Sequence, residues 1–417
     1  MSVSIDRKLF KSLAVLGYNF GLHILRALIP RGKKDQARTF IEYFREDGIE
    51  PLSVEEDELL FAFENCINCG ICQDHCRVSQ LSGGRFLGPE HIAVCASRSQ
   101  PEFFADSESI FLCAVCGQCE SACPEDVPVS KMAMHIRSMI RRTRPEALPK
   151  ACHRAMENLE RFGNIYDEKG EEKVREWPRN PDAEYILFLG CRERVEPERA
   201  SILFDLMARL GLSVTGIEEV CCGGVPETMG LEYQSDLVER LLAAGPEKLI
   251  AVCPLCAKKL GASSELSGRI EVKHIIEILL EKIPADLKAR DIPEPVTFHD
   301  PCHLGRGCNI IEEPRQVLRG LGLEVVEMNE QGLEAPCCGA GGGLNLFDPD
   351  LARDMARARI ADAKAAGART LATECLACYN NLQGAASEDG DLELVLITNL
   401  VAQIISSNEQ EKGNKDE

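Results

Sequence analysis

Eight cysteines fall in two runs of one spacing. Cys66, Cys69, Cys72 and Cys76 read C-x2-C-x2-C-x3-C, and Cys113, Cys116, Cys119 and Cys123 repeat it with Pro124 next. Such spacing wraps a short loop so that three thiolates converge on one cubane 4Fe-4S cluster, while the fourth cysteine of each run ligates the other cluster. The expected ligand sets therefore cross: Cys66, Cys69, Cys72 and Cys123 for one cubane, Cys113, Cys116, Cys119 and Cys76 for the other. A zinc site, with four ligands in two pairs, does not call for two such runs. Two neighbouring cubanes make a one-electron wire.

Ten further cysteines come in two sets of five. Cys191, the vicinal Cys221 and Cys222, and Cys253 and Cys256 form one set; Cys302, Cys337 and Cys338, and Cys375 and Cys378 form the other, in the same order. Five thiolates exceed a tetrahedral site, and adjacent cysteines resist ligating one zinc together, so each set fits a multi-iron centre better. Gly223, Gly224, Gly339 and the run Gly341-Gly342-Gly343 lack Cβ and let backbone lie close to a bulky cofactor. The run from Gly339 to Gly343 has a superficial likeness to a dinucleotide loop, but it follows Cys-Cys rather than a clean strand and lacks the G-x-G-x-x-G spacing.

The elements that must hold these thiols read as a duplication. Tyr185 to Cys191 and Val296 to Cys302 are buried strands ending on a cysteine, and the helices that follow close at Gly211 and Gly322. Leu249 to Cys256 and Leu371 to Cys378 each give a strand and a C-x-x-C, and His274 to Leu280 and Leu394 to Ile404 read as late apolar helices. Alternating strands and helices predict two α/β units with parallel strands and cysteines at the strand ends, where such sheets place ligands. The expected fold is thus α+β and multidomain, a helical ferredoxin domain followed by two duplicated α/β units. The expected boundaries are an N-terminal helical extension at 1–55, the ferredoxin domain at 56–150, a helical linker at 151–182, the α/β units at 183–292 and 293–405, and a disordered polar tail at 406–417.

Composition narrows the function. With 67 acidic and 47 basic side chains, the net charge of −20 repels phosphate backbones, so nucleic acid is not an expected partner. The first thirty residues lack the parts of a secretory signal, and the apolar run from Leu13 to Ile29 is interrupted by Asn19, His23 and Arg26. Lys8, Lys11, Arg31, Lys33 and Lys34 flank it, a pattern that fits an interfacial helix, one docking on a membrane partner, or one packed on its own domain. The expected compartment is the reducing cytoplasm, where cysteine clusters mean metal or redox chemistry.

From about Phe61 to Ile405 the chain resembles the heterodisulfide reductase D-subunit family, which joins a helical two-cubane ferredoxin domain to two cysteine-rich CCG domains. The resemblance is strongest at His299-Asp-Pro-Cys302-His303-Leu-Gly-Arg306, Glu313-Pro-Arg315, Val326-Glu-Met328 and Cys337-Cys338-Gly339-Ala-Gly341-Gly342-Gly343. It implies a noncubane 4Fe-4S cluster on Cys191, Cys221, Cys222, Cys253 and Cys256, and another on Cys302, Cys337, Cys338, Cys375 and Cys378. It also implies an iron-sulfur oxidoreductase subunit that passes electrons between a membrane cytochrome b or quinone-reactive subunit, or a flavoprotein, and a disulfide or thiol substrate. That role would place it at the cytoplasmic face of the inner membrane through its partner. The iron-sulfur subunits of glycolate oxidase and anaerobic glycerol-3-phosphate dehydrogenase share the architecture, which leaves open a non-catalytic electron-transfer subunit of a flavin dehydrogenase. A zinc scaffold would make a colourless protein.

Individual side chains divide between sharp and plain roles. His299 and His303 flank Cys302 and could donate protons to a departing thiolate as catalytic groups, or serve as hydrogen-bond donors to cluster sulfur. Arg192, Arg194 and Arg306 could hold an anionic substrate group or offset cluster charge. Cys95, Cys152 and Cys308 are expected as small buried hydrophobes.

Overall fold

The computed structural model describes residues 7–28, 36–45, 58–98 except 60 and 63, 106–166, and 177–413 except 291. They form two compact units, Met1–Asp57 and Glu58–Glu417. The first holds the helices Arg7–Leu28 and Gln36–Phe44. The longer helix leaves Leu16, Tyr18, Phe20 and Leu25 exposed. Among the described residues, no helix is long and apolar enough to cross a membrane.

The second unit begins helical. Short helices, Ile71–Asp74 and Gln118–Ser121, sit inside the two cysteine runs, and Pro89–Arg98 and Ser107–Phe111 lie between the runs. The helix Val129–Thr143 then packs Met132, Ala133, Ile136 and Ile140 inward at helical spacing. Arg137 stands in the same apolar stripe and is fully buried.

Two parallel sheets follow. The first runs β2-β1-β3-β4, with β1 Tyr185–Phe188, β2 Val214–Thr215, β3 Lys248–Ala251 and β4 Glu271–His274. The second runs β5-β6-β7, with β5 Val296–Phe298, β6 Thr370–Thr373 and β7 Glu393–Leu396. A lone parallel bridge from Val296 to Val325 stands where β2 stands in the first sheet. The order is therefore written twice, as the repeated sequence requires. Leu187, Ile250, Ile275 and Leu279 of the first copy pack in one core with Val296, Phe298, Ile397 and Val401 of the second.

Three expectations need correction. The late apolar segment from Leu394 to Ile404 is a strand followed directly by a helix, β7 ending at Leu396 ahead of the helix Ile397–Gly413; the one from His274 to Leu280 is helical as expected, with His274 both closing β4 and capping the helix Ile275–Lys282. No Gly or Pro separates the elements, so a four-residue strand merges with the helical pattern behind it. The polar tail expected from 406 is helical to Gly413, its Glu, Gln and Lys being good helix formers, and Arg209 pairs with Glu409. Within the expected linker, Trp177 is instead buried against Phe204 in the first α/β core, with ring centroids 5.8 Å apart; residues 167–176 lie outside the described residues.

Candidate metal centres

Both cysteine runs curl alike. Asn68 and Gly70 in the first, and Val115 and Gly117 in the second, have φ of 55°, 77°, 51° and 73°. Left-handed residues at matching places turn backbone N–H groups and thiols inward. A β-branched Val there is strained, as residues of functional loops often are. One cavity is walled by Cys66, Cys69, Cys72 and Cys123 with Cys119 at its edge, and the next by Cys76, Cys113, Cys116 and Cys119. The fourth cysteine of each run thus stands with the other run's three.

The donor sets fit iron-sulfur clusters. Burial pushes the Cys72 thiol up to about 11, with Cys66 and Glu90 adding to it, and pushes Cys113 up to about 12 against the pull of Arg137. Thiols gathered and held protonated in this way need a metal to draw the protons off. Backbone N–H groups already aim at sulfur, from Val115 to Cys113 Sγ at 3.4 Å and from Val127 to Cys123 Sγ at 3.5 Å.

The five-cysteine sets open onto one space. Cys222 and Cys256 Sγ are 3.3 Å apart, and Cys338 and Cys378 Sγ 3.0 Å apart. Gly223 N and Gly339 N each donate to the first sulfur of the vicinal pair, at 3.4 Å in both copies. A cavity of ≈ 100 Å³ between the α/β units is lined by all five cysteines of the first set and by Cys302, Cys338, Cys375 and Cys378 of the second. Cys337 turns toward Cys116 of the second ferredoxin-type pocket, and that contact pulls the Cys116 thiol down to about 7. A more open, polar space of ≈ 310 Å³ shares Tyr166, Arg192, Asn345 and Ala377 with this cavity and adds Arg353, Asn380 and Asn381.

Buried ion pairs hold these loops. Asp300 takes two bonds from Arg315, at 2.7 and 2.9 Å, and Arg315 also reaches Glu327 at 2.9 Å. The motif residues around Cys302 therefore include a clamp that fixes the Pro301-Cys302 turn. In the first α/β unit Glu219 accepts from Leu189 N and Gly190 N at 2.7 and 2.8 Å. Burial raises Glu219 to about 7, against the pull of Arg194. Arg199 joins the two α/β units through Glu193 at 3.1 Å and Glu374 at 3.3 Å. Burial raises Glu193 to about 8 despite Arg199.

The histidines and arginines separate. His303 lines the cavity with Nδ1 3.9 Å from Cys302 Sγ. His299 lies behind the sulfurs: Arg359 Nε donates to its Nδ1 at 3.3 Å, which leaves the proton on Nε2. That Nε2 is buried without a hydrogen-bond partner, and the imidazole lies beside the Cys338 and Cys378 sulfurs, with one ring nitrogen within 4.8 Å of both. Of the arginines, Arg192 stacks over Tyr166 at the cavity mouth, Arg194 is buried beside Glu219, and Arg306 donates to the carbonyls of Cys116, Leu333 and Ala335. Cys95 and Cys152 are both buried core residues, as expected, and Cys308 packs beside Pro254; Cys95 also contacts His91.

The sequence reading did not single out Arg137. It donates to the carbonyls of Ile110, Phe111 and Cys113 beside the second ferredoxin-type pocket, and to Thr228 and Gly342 of the two α/β units. Its signal was available: a charge between Ala133, Ile136 and Ile140 on an apolar helix stripe.

These loops and paired sheets define an iron-sulfur protein with a dicluster domain and two cysteine-rich α/β domains. Residues 62–127 match the 4Fe-4S dicluster domain family, and residues 185–261 and 296–383 each match the CCG cysteine-rich domain family. Both domain families thus occur together in this chain, which carries one dicluster domain and two CCG domains. It is 28% identical over 388 residues to the B subunit of the fumarate reductase (CoM/CoB) of Methanothermobacter marburgensis, covering 88% of this chain and 78% of that protein. To the D subunit of the dihydromethanophenazine:CoB–CoM heterodisulfide reductase of Methanosarcina barkeri it is 27% identical over 402 residues, covering 83% and 95%. It is 28% identical over 350 residues to the EtfAB:quinone oxidoreductase of Syntrophomonas wolfei, covering 68% of this chain and 48% of that protein. A crystal structure of a hypothetical protein from Helicobacter pylori shares the fold, with TM-score 0.54, 11% identity, and coverage of 88% of this chain and 76% of that one.

Proposed function

We propose that this chain passes electrons between a quinone-linked cytochrome b or flavoprotein partner and a disulfide or thiol bound in the cavity between the CCG domains. The observation that carries the reading is that both five-cysteine sets open onto one cavity, while Cys337 of the second set reaches Cys116 of the ferredoxin loop. In this reading the ferredoxin cysteines hold two cubane clusters, with the crossed ligand sets given above, and the two CCG sets hold noncubane 4Fe-4S clusters. When bound, such clusters supply one-electron transfers, two of which, with two protons, convert a disulfide into two thiols.

The protein's own groups supply the rest. Ile165, Val225, Leu255 and Leu346 give the cavity apolar walls that limit water. His303 Nδ1, beside Cys302, is placed to hold and deliver a proton. Arg192 at the mouth offers a guanidinium to an anionic group on the substrate. The exposed apolar helix Arg7–Leu28 is the segment we assign to partner docking at the cytoplasmic face of the inner membrane.

A second reading draws on the similarity to EtfAB:quinone oxidoreductase: an electron relay beside a flavin enzyme that binds no substrate of its own. Iron, acid-labile sulfide and EPR spectra of anaerobically purified protein separate the two. About sixteen irons, four for each of four clusters, with a paramagnetic signal that depends on added thiol supports substrate chemistry at the CCG cavity. About sixteen irons without that signal supports the relay. About eight irons overturns the four-cluster assignment.

A further inference from the structure

Among the described residues outside these cysteine sets, one more group of metal-binding side chains converges. His91 and Cys95 lie one turn apart on the helix Pro89–Arg98, and Asp106 stands immediately before the helix Ser107–Phe111 that leads into Cys113. His91 Nε2 is 2.8 Å from Asp106 Oδ2 and 3.1 Å from Cys95 Sγ. The three donor atoms all lie within 4.8 Å of one another. Cys95 is buried, while His91 and Asp106 have side chains 30% and 29% exposed.

Both close contacts of His91 fall on the same ring nitrogen. A proton relay would use Nδ1 for one neighbour and Nε2 for the other. The thiol and the carboxylate therefore crowd one donor atom from two sides. A divalent cation among the three atoms satisfies all of them. With bond lengths of ~2.3 Å to sulfur and ~2.0–2.2 Å to nitrogen and oxygen, a tetrahedral ion needs the donors only slightly further apart than they are.

We propose that His91, Cys95 and Asp106 form a mononuclear zinc site, separate from the iron-sulfur centres, with water completing the tetrahedron on the exposed side. Binding takes the thiol proton from Cys95 to solvent and changes no oxidation state. One sulfur, one nitrogen and one oxygen suit zinc rather than magnesium or calcium, which take oxygen ligands. The ion clips together two helices that lie between the cysteine runs. One carries Glu90 beside the first cubane pocket, and the other delivers Cys113 to the second.

The test uses the full-length, iron-loaded protein, dialysed anaerobically against a weak chelator. Zinc and iron are counted in the wild type, His91→Ala and Asp106→Asn, and zinc K-edge EXAFS is recorded on the wild type with zinc as the probe. The proposal expects one zinc per chain in the wild type, at least a tenfold loss in both variants with iron unchanged, and a first shell of one sulfur and three lighter scatterers. A wild type that retains no zinc overturns it, as does zinc equal in wild type and variants. A shell of three or four sulfurs also overturns it, because the zinc would then be adventitious in a cluster cysteine set. The EXAFS result stands even where a variant fails to fold.

Discussion

The two α/β units share a sheet order and a cysteine pattern, and they differ at one turn. After its vicinal cysteines the first unit continues Gly223-Gly224-Val225-Pro226, and the second Gly339-Ala340-Gly341-Gly342. A Cβ at Gly342 would sit 2.6 Å from the Ala114 carbonyl carbon, so in the second unit this turn lies flush on the loop of the second cysteine run. Arg306 adds a bond to Cys116 O at 2.8 Å. The first unit keeps its bulkier turn and faces Tyr166 and Arg192 at the cavity mouth. The copies therefore share a fold but not their neighbours: the second meets the loop of the second cysteine run, and the first the open side of the cavity.

The largest effect is expected where the wire and both units are tied at once. Arg137→Leu removes a buried guanidinium and leaves the carbonyls of Ile110, Phe111, Cys113, Thr228 and Gly342 without their donor. Unmet buried acceptors cost about 1–3 kcal/mol each before relaxation, so a loss on the order of 4 kcal/mol is expected. Anaerobic denaturant unfolding followed by circular dichroism and by cluster absorbance reads it. A midpoint unchanged from wild type would show that Arg137 ties nothing.

Next comes the turn itself. Gly342→Val places a β-branched residue at φ 62° against Ala114, at a cost of about 2–3 kcal/mol. Val225→Gly, in the matching turn of the first unit, is expected to cost about 1 kcal/mol or less. Freeze-quenched EPR after rapid reduction should show slowed electron arrival at the CCG centres in the first variant and not in the second. Equal rates in the two variants would remove the asymmetry.

The units also differ in their response to acid. His274 closes β4, caps the following helix and binds Val252 O at 3.0 Å, while Leu396 holds the matching place in the second unit. Burial lowers the His274 pKa from 6.5 to about 3, so the folded state keeps it neutral. This stability is whole above about pH 6.5 and falls by about 1.4 kcal/mol per unit as pH drops from there toward 3. His274→Asn should flatten that slope, measured as unfolding midpoint between pH 7 and pH 5; an unchanged slope would assign acid sensitivity elsewhere.

Much of this was legible in the sequence because cysteine spacing and duplication are local patterns. The two runs, the two five-cysteine sets and the strands β1, β3, β5 and β6 follow from residues near one another in the chain. What escaped depends on distance. Arg137 reaches Thr228 and Gly342, and Arg199 reaches Glu374; nothing near these arginines in the chain names those partners. Strands β4 and β7 escaped because they run into helices without a turn. The pairing of Asp300 with Arg315 was visible only as motif letters, and its role as a clamp needed the coordinates.

The finest test of the asymmetry is at His299, whose place in the first unit is held by Phe188. Arg359 donates to His299 Nδ1, which leaves the ring proton on Nε2 for a cluster sulfur held by the neighbouring Cys338 and Cys378. A hydrogen bond to cluster sulfur stabilises the reduced, more negative state and raises the potential. His299→Phe copies the first unit into the second and removes a bond worth about 1 kcal/mol, which for one electron is about 40 mV downward. His299→Gln, which keeps an N–H donor, should recover part of that shift, whereas a merely space-filling role would be met by Phe. Redox titration followed by EPR decides it: a potential unmoved by Phe would mean that His299 packs the site without tuning it, and that the two units are electrically alike despite their different neighbours.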